Sequence, residues 1–416
     1  MLKARIEAGE DLDRGVELAS RNLSRLLEAG SRRGMLRIQV YPSMDPMIAG
    51  AVVYKAARSL GVHAVLAVST SPRAGMGPTL LLGFNHLSLK SWDVDDALLA
   101  LASGQVKGSP PPGAVYLEVE GSVSSAVGLA LAEHKLPPRD LLPLLAASYH
   151  TRYVDQAGRF HGVDRALLEV LADQAGLDMY TGVKAYKPHK WPAWRSLSST
   201  CNPYMHGVSG RPEAARDLIS GAGLDPERSL STLEPGEVEK LASTLLEALA
   251  RHGGVEASRI LGGVIVSGDP LVEDLRMASD ALAVAAEAGG LGALAGSILD
   301  MELEYPIAES LLVSQCRSLV RGLEEGPPVR VKVVPWLRTY RLPQSLSSSP
   351  LSAWRALEAL GRVEGDSIVL VEDGGLRASV VQAEAAQPGV ARKLVDNKLA
   401  RLEGLWLVFN DGGEGV

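Results

Sequence analysis

The sequence predicts an α/β protein in three parts: a parallel-sheet domain over residues 1–186, a mostly helical connector over 187–326 and a small C-terminal α/β domain over 327–416. Three observations predict this. First, "MLRIQVY", "PMIAGAVVYKAARSL" and "VHAVLAVS" follow one another as strand, helix and strand, the βαβ unit of a parallel sheet. Second, the pattern from Lys187 onward is helical, interrupted by one apolar run, "RILGGVIVSG". Third, "EEGPPVRVKVVPW" and "YRLPQSLSSSP" break that pattern near residue 326, and strand-like segments follow.

The elements follow in order. Residues 1 to 33 read as one charged amphipathic helix, because Leu12, Val16, Ala19, Leu23 and Leu26 recur at steps of four and three. "MLRIQVY" is a buried strand, and the helix after it places Ile48, Val52, Ala56 and Leu60 on one face. "PTLLLGF" and "GAVYLEVEG" are the third and fourth strands, on either side of a polar stretch. "SSAVGLALAEHK" and "RDLLPLLAASYH" are helices. In the last domain "DSIVLVEDGGLRASVVQAE" reads as a hairpin turned at Gly374 and Gly375, and "LEGLWLVFN" as one more strand.

Composition narrows the function. The 416 residues exceed one ordinary core, and 46% hydrophobic with 22% charged residues excludes a disordered chain. A net charge of −7 and a pI near 5.7 argue against a broadly basic nucleic-acid cradle, although a local basic groove stays open. No stretch reads as a membrane span, and "MLKARIEAGEDLDRG" lacks the apolar core of a signal peptide, so a cytoplasmic location is expected. Cys201 and Cys316, far apart in the chain, read as reduced thiols, and no zinc cluster is available.

Chemistry in a parallel sheet gathers where strands give way to helices, and "VYPSMDPM" stands at such a point. A two-metal phosphoesterase needs several anionic ligands there to offset the charge of its ions. Tyr41, Ser43 and Asp45 are the candidates, and a neutral phenol and hydroxyl are poor ligands for two dications. Asp45 precedes Pro46 at a helix start, so its carboxylate reads as a cap on its own helix rather than as a metal ligand.

Other signals have plain structural readings. His150, His161, His189 and His206 lack metal-ligand spacing, and "GGLGALAG" reads as close helix packing rather than a phosphate loop. "KAYKPHKWPAWR" mixes Lys184, Lys187, Lys190 and Arg195 with Tyr186, Trp191 and Trp194. That mix suits stacking on single-stranded bases, or a docking loop anchored by its tryptophans, and docking is the preferred reading. Arg330, Lys332, Arg338, Arg341 and Arg355 make the start of the last domain locally basic.

Residues 38–61 resemble the first motif of the DHH phosphoesterase superfamily, His-x-Asp-x-Asp-Gly before a helix of small and apolar residues. Tyr41 falls at the His, Ser43 at the first Asp, Asp45 at the second and Pro46 at the Gly. "LLPLLAASYHTRYVDQAGRFHGVDRALLEVLADQAGL" is similar to a later segment of archaeal RecJ-like nucleases, with Thr151 near the metal-binding Asp and Asp155 a few residues late. "WPAWRSLSSTCNPYMHGVSGRPEAARDLISGAGL" resembles their connector. "SRILGGVIV" and "LVEDLRMASDALAVAAEAGG" resemble the strand and helix after it, and "DSIVLVEDGGLRASVVQAE" resembles the hairpin of the DHH-associated C-terminal domain. The namesake Asp-His-His is missing: His86, Asp93, Asp95 and Asp96 are nearest and lack its spacing, Asp93 or Asp95 reading as a helix cap. The C-terminal Gly-Gly-His is absent too, and the Ser-x-Arg signature has become Ser379-Val380-Val381.

The resemblance implies a DHH-like domain, a helical connector and a DHH-associated domain, with no catalytic residue and no metal cofactor. It points to a catalytically inactive RecJ-like, cell division cycle protein 45-like subunit of the archaeal replicative helicase assembly. Such a subunit bridges the GINS complex and the MCM helicase, sits with the nucleoid in the cytoplasm and has no membrane partner. Lys187, Lys190, Trp191, Arg195, Arg377 and Ser379 are then candidate contacts to single-stranded DNA. The alternative is an active single-strand exonuclease or phosphodiesterase that uses manganese or magnesium on ligands such as Asp45 and His86. A third reading is a nucleotide-sensing regulator that holds a small phosphate ligand in the same cleft.

Overall fold

The computed structural model describes residues 2–6, 12–73, 77–88, 98–109, 114–134, 136–151, 153–155, 157–251 and 257–410. They form two compact units. The first holds Met1–Asp155, Phe160–Leu177 and Leu291–Tyr305; the second holds Gln156–Arg159, Asp178–Gly290 and Pro306–Val416. Residues read from the sequence as a connector and a last domain thus share the second unit.

The first unit runs β1 (Leu2–Ile6), α1 (Leu12–Arg33), β2 (Leu36–Val40), α2 (Met44–Ser59), β3 (Ala64–Val68), β4 (Thr79–Leu82), β5 (His86–Ser88), β6 (Leu98–Ser103), β7 (Lys107–Ser109), β8 (Val115–Val119), α3 (Val123–Ala132), α4 (Pro138–Ala147) and α5 (Gly162–Gln174). Six strands pair in the order β1-β8-β6-β4-β2-β3, every pairing parallel. β5 and β7 form a small parallel ladder of their own. The expected parallel sheet is present, with two corrections. Residues 1 to 33 are not one helix: Leu2–Ile6 pairs with β8, and the helical period begins only at Leu12. The stretch read as polar contains β6, whose Leu98, Leu99, Ala100, Leu101 and Ala102 are all buried in the middle of the sheet.

α2 lies close against the sheet because its inner residues are small. A Cβ on Gly50 would collide with Val40 Cγ1 and come within 3.0 Å of Leu66 Cδ1. On the far side of the same helix, Lys55 Nζ donates to Asp140 Oδ1 (2.7 Å) and to the carbonyl of Ile298 (2.9 Å), which ties α4 and the returning segment Leu291–Tyr305 to the unit.

The second unit begins with β9 (Asp178–Val183), then α6 (Ala193–Ser199), α7 (Pro212–Gly221), α8 (Pro235–Ala250), α9 (Ala257–Ile260) and β10 (Leu261–Val266), which pairs antiparallel with β9. These elements surround a core of Val183, Leu197, Met205, Ile219, Leu241 and Ile260. α10 (Leu275–Leu299), broken at Gly290 where φ is 69°, and α11 (Glu304–Glu325) follow, the stretch Leu291–Tyr305 at their junction belonging to the first unit. The rest is β11 (Val329–Val331), β12 (Thr339–Arg341), α12 (Pro350–Ala359), β13 (Ile368–Glu372), β14 (Leu376–Ser379), α13 (Val380–Ala386), α14 (Val390–Asp396), β15 (Ala400–Glu403) and β16 (Trp406–Phe409). Its mixed sheet has the order β11-β12-β13-β14-β16-β15. The predicted hairpin exists but ends at Ser379, since "VVQAE" is helical, and the predicted single last strand is a pair, β15 and β16.

Two further expectations are corrected. Cys201 and Cys316 are joined in a disulfide within a buried cluster, because the fold brings their Cα atoms to 5.7 Å although 115 residues separate them. α10 is long and apolar enough in composition to cross a membrane, which the sequence reading did not anticipate. In the structure 56% of its most apolar window is buried inside the protein, as in a core helix.

Gly50→Ala should lower the free energy of unfolding by about 1–3 kcal/mol despite alanine's better helix propensity, because the added methyl overpacks against Val40. Chemical denaturation measures this, and an unchanged or higher value would mean that α2 can move off the sheet without penalty.

Candidate functional site

Two strand-to-helix junctions of the first unit, β2–α2 and β8–α3, meet at the N-terminus of α3. Four backbone N–H groups at such a terminus lack helical partners and favour anions. Here the protein satisfies all four itself. The Ser122 N–H donates to Asp164 Oδ2 (2.9 Å), Val123 to Asp45 Oδ2 (2.9 Å), Ser124 to Asp45 Oδ1 (2.8 Å), and Ser125 to the hydroxyl of Ser122 (3.0 Å). Asp45 comes from the first turn of α2, just after β2, and Asp164 from the first turn of α5. Gly121 lets α5 approach: a Cβ there would stand 2.8 Å from Val163 Cβ and 3.0 Å from Asp164 Oδ2.

Asp164 is fully buried, and its Oδ1 accepts from three hydroxyls, those of Ser122, Ser125 (2.8 Å) and Ser148. The serines also contact one another, Ser148 lying 3.2 Å from Ser125 and 3.3 Å from Ser122 between hydroxyl oxygens. Asp45 is 7% exposed. Burial pushes its carboxyl up to about 6, against the hydrogen bonds from Ser124 and Val123 that favour the charged form.

The sequence candidates divide around this cluster. Asp45 does cap a helix, but not the one predicted. Ser43 is the N-cap of α2 and makes no side-chain cap, while the Asp45 carboxylate reaches across to α3, 78 residues away. Tyr41 packs edge-on against Phe84, with ring centroids 6.1 Å apart. Pro46 packs where Gly83 leaves room, a Cβ at Gly83 falling 2.7 Å from Pro46 Cγ. Thr151 lies outside the cluster, its hydroxyl donating to the carbonyl of Ser148 (2.8 Å) and accepting from the N–H of Tyr153 (3.2 Å). Ser148, three residues earlier, is the residue of this turn whose hydroxyl joins the cluster. His86 is an exposed residue of β5, and Asp93, Asp95 and Asp96 lie outside the described residues. The sequence reading missed Ser122, Ser124, Ser125, Ser148 and Asp164; the serine-rich "GSVSS" directly after a buried strand was the available signal.

Divalent ions of the kind used by phosphoesterases need several anionic oxygens with free lone pairs facing one point. The donors here do not fit. Both oxygens of Asp45 face backbone N–H groups, Asp164 is surrounded by donors, and the remaining groups are neutral hydroxyls. Among the described residues no three His, Cys, Asp or Glu side chains converge.

The basic and aromatic candidates belong to the second unit. The Trp191 ring has the Arg195 guanidinium 4.4 Å and the Lys187 ammonium 5.6 Å from its centroid. Lys187 is paired with Glu309 (2.7 Å) and Glu273 (3.5 Å), and Lys190 also pairs with Glu273. Trp194 is covered by Arg216 at 4.1 Å. Arg377 pairs with Asp373 and stacks on Trp406 at 4.4 Å. Ser379, offered as a DNA contact, is 1% exposed and donates its hydroxyl to Glu287 (2.6 Å), so it presents nothing to a strand. Burial pushes the Glu287 carboxyl up to about 7.

No protein-family model matches the chain, and no curated protein sequence matches it. Among solved structures, CDC45 from Entamoeba histolytica is similar along nearly its whole length, with a TM-score of 0.63 at 9% identity over 98% of this chain and 96% of that one. The chain has the CDC45 fold. RecJ from Thermus thermophilus in complex with manganese aligns at a TM-score of 0.39 and 12% identity, over 95% of this chain and 52% of that one. Exonuclease RecJ bound to manganese aligns at 0.39 and 13%, over 95% and 89%. At these TM-scores the two RecJ likenesses carry no argument. The CDC45-like architecture read from diverged motifs is thus present as a fold, at an identity that speaks for the fold alone.

The raised Asp45 carboxyl sets a pH dependence. Its folded value, about 6, exceeds the ordinary 3.8, so the folded chain binds this proton more tightly than the unfolded one. Its contribution to stability is full below about pH 4 and is lost as pH rises through about 6. Asp45→Asn should remove this component, so that the difference in stability between wild type and variant changes across pH 4 to 6 and is flat above about 7. Denaturant unfolding at a series of pH values measures it; a difference independent of pH would refute the assignment.

Proposed function

We propose that this chain is a non-enzymatic, CDC45-like subunit of a replicative helicase assembly, bridging a GINS complex and an MCM helicase. The observation that carries the loss of enzymatic function is the closure of the α3 N-terminus. The site where a DHH enzyme gathers metal ligands is filled by Asp45, Asp164 and four serines that satisfy one another. A phosphate or a metal would have to displace the Asp45 carboxylate from two backbone N–H groups. The bridging role rests on the CDC45 fold over nearly the whole chain together with the motif resemblance. A fold built on an apolar parallel sheet stays stable without metals, which leaves its outer surface for partners. The exposed Lys190 and Arg195 beside Trp191 are the residues best placed for contact with a DNA strand.

The purified chain, given manganese and an end-labelled single strand, should release no product above the metal-only control. The tagged chain should retain GINS and MCM subunits from native extract. Manganese-dependent cleavage abolished by Asp45→Ala would make the exonuclease reading correct, and capture without GINS or MCM would remove the bridging role.

A further inference from the structure

The two edges of the parallel sheet differ in chemistry. Exposed sheet edges template unwanted pairing, and proteins guard them with charges, proline or bulges. Of the four edge strands in the two six-stranded sheets, β1 reads LKARI, β11 VRV and β15 ARLE, each carrying charge. β3 reads AVLAV and has none of these guards.

The hydrogen-bond register identifies what β3 leaves open. The carbonyl of His63 accepts from the N–H of Leu36, and the N–H of Ser69 donates to the carbonyl of Val40. In a parallel ladder the N–H and C=O of one residue point to the same side and alternate along the strand. His63, Val65, Ala67 and Ser69 therefore face β2, and Ala64, Leu66 and Val68 direct both groups to the free edge. Among the described strands β3 has no other neighbour. Val65 is 50% exposed, and Leu60 just before the strand is 66% exposed. A hollow lined by Tyr54, Arg58, Val62 and His63 opens beside the start of the strand.

The segment that carries this edge has charge of one sign. No Asp or Glu occurs between Asp45 and Asp93, although the chain as a whole carries −7. Arg58 and His63 are exposed at the hollow, Arg73 is exposed beyond the strand's end, and Arg37 is the β2 neighbour of Val65 in the register. We infer that the free edge of β3 is a docking strand for an extended acidic segment of a partner protein, which adds to the sheet as a further strand. The backbone groups of Ala64, Leu66 and Val68 would pair with it, and Arg58 and His63 would meet its carboxylates. The inference does not depend on the helicase reading, because it rests on the edge and its charge alone.

The test uses the full chain labelled with nitrogen-15 and a blocked peptide of alternating glutamate and valine. Parallel samples contain the same peptide with lysine for glutamate, an oligothymidine, or no addition at rising chain concentration. The acidic peptide should slow amide exchange at Ala64, Leu66 and Val68 by about tenfold or more and leave Val65 and Ala67 unchanged. Ala64→Pro, which removes one outward N–H and no bond to β2, should weaken the peptide by about tenfold. Arg58→Glu, at an exposed side chain, should weaken it too and carries the test if the proline variant does not fold. Protection by the lysine peptide or by oligothymidine instead, protection that grows with chain concentration alone, or no protection at these amides would overturn the inference.

Discussion

The capping of α3 by Asp45 and Asp164 is the interaction on which the first unit is organised. A helix that starts at the ends of parallel strands offers unpaired N–H groups to whatever anion is near, and in many α/β proteins that anion is a ligand. In this protein the anions are covalent parts of the chain. Asp45 links the β2–α2 junction to the β8–α3 junction, and Asp164 links α5 to the same turn. Two strand-to-helix junctions and the first turn of α5 thereby meet at one point.

The closure also explains why neutral residues are tolerated where a phosphoesterase needs charge. Several carboxylates packed together would repel one another without metal, and burial would force some of them to hold protons. Three serine hydroxyls donate hydrogen bonds to a single Asp164 instead, and burial raises the Asp45 carboxyl to about 6. Stability at the site comes from hydrogen bonds internal to it.

Much of the scaffold was legible because periodicity survives divergence. β2 and β3 follow from short apolar runs and α2 from the face of Ile48, Val52 and Ala56, although Leu60, read onto that face, lies past the helix end and is 66% exposed; Gly374 with Gly375 marks the turn between β13 and β14. Other features were not legible for physical reasons. β1 carries two cations on five residues and looks helical until its pairing with β8 is known. β6 lies in a stretch led by acids. The disulfide joins residues 115 apart, and the Asp45 cap spans 78, so neither leaves a local pattern. Asp45-Pro46 correctly signalled a cap, yet sequence neighbours could not say which helix receives it. Ser148 was hidden because a lone serine at the end of an apolar helix carries no local signal of the buried Asp164 it contacts, 16 residues on.

The central claim is that this strand-end site is complete without metal. Titrating manganese into the purified chain and following the free-ion signal by electron paramagnetic resonance tests it most directly. The account predicts a free signal equal to that in buffer at every addition. A loss of signal that saturates at one or two ions per chain, and that returns in Asp45→Asn and Asp164→Asn, would contradict it.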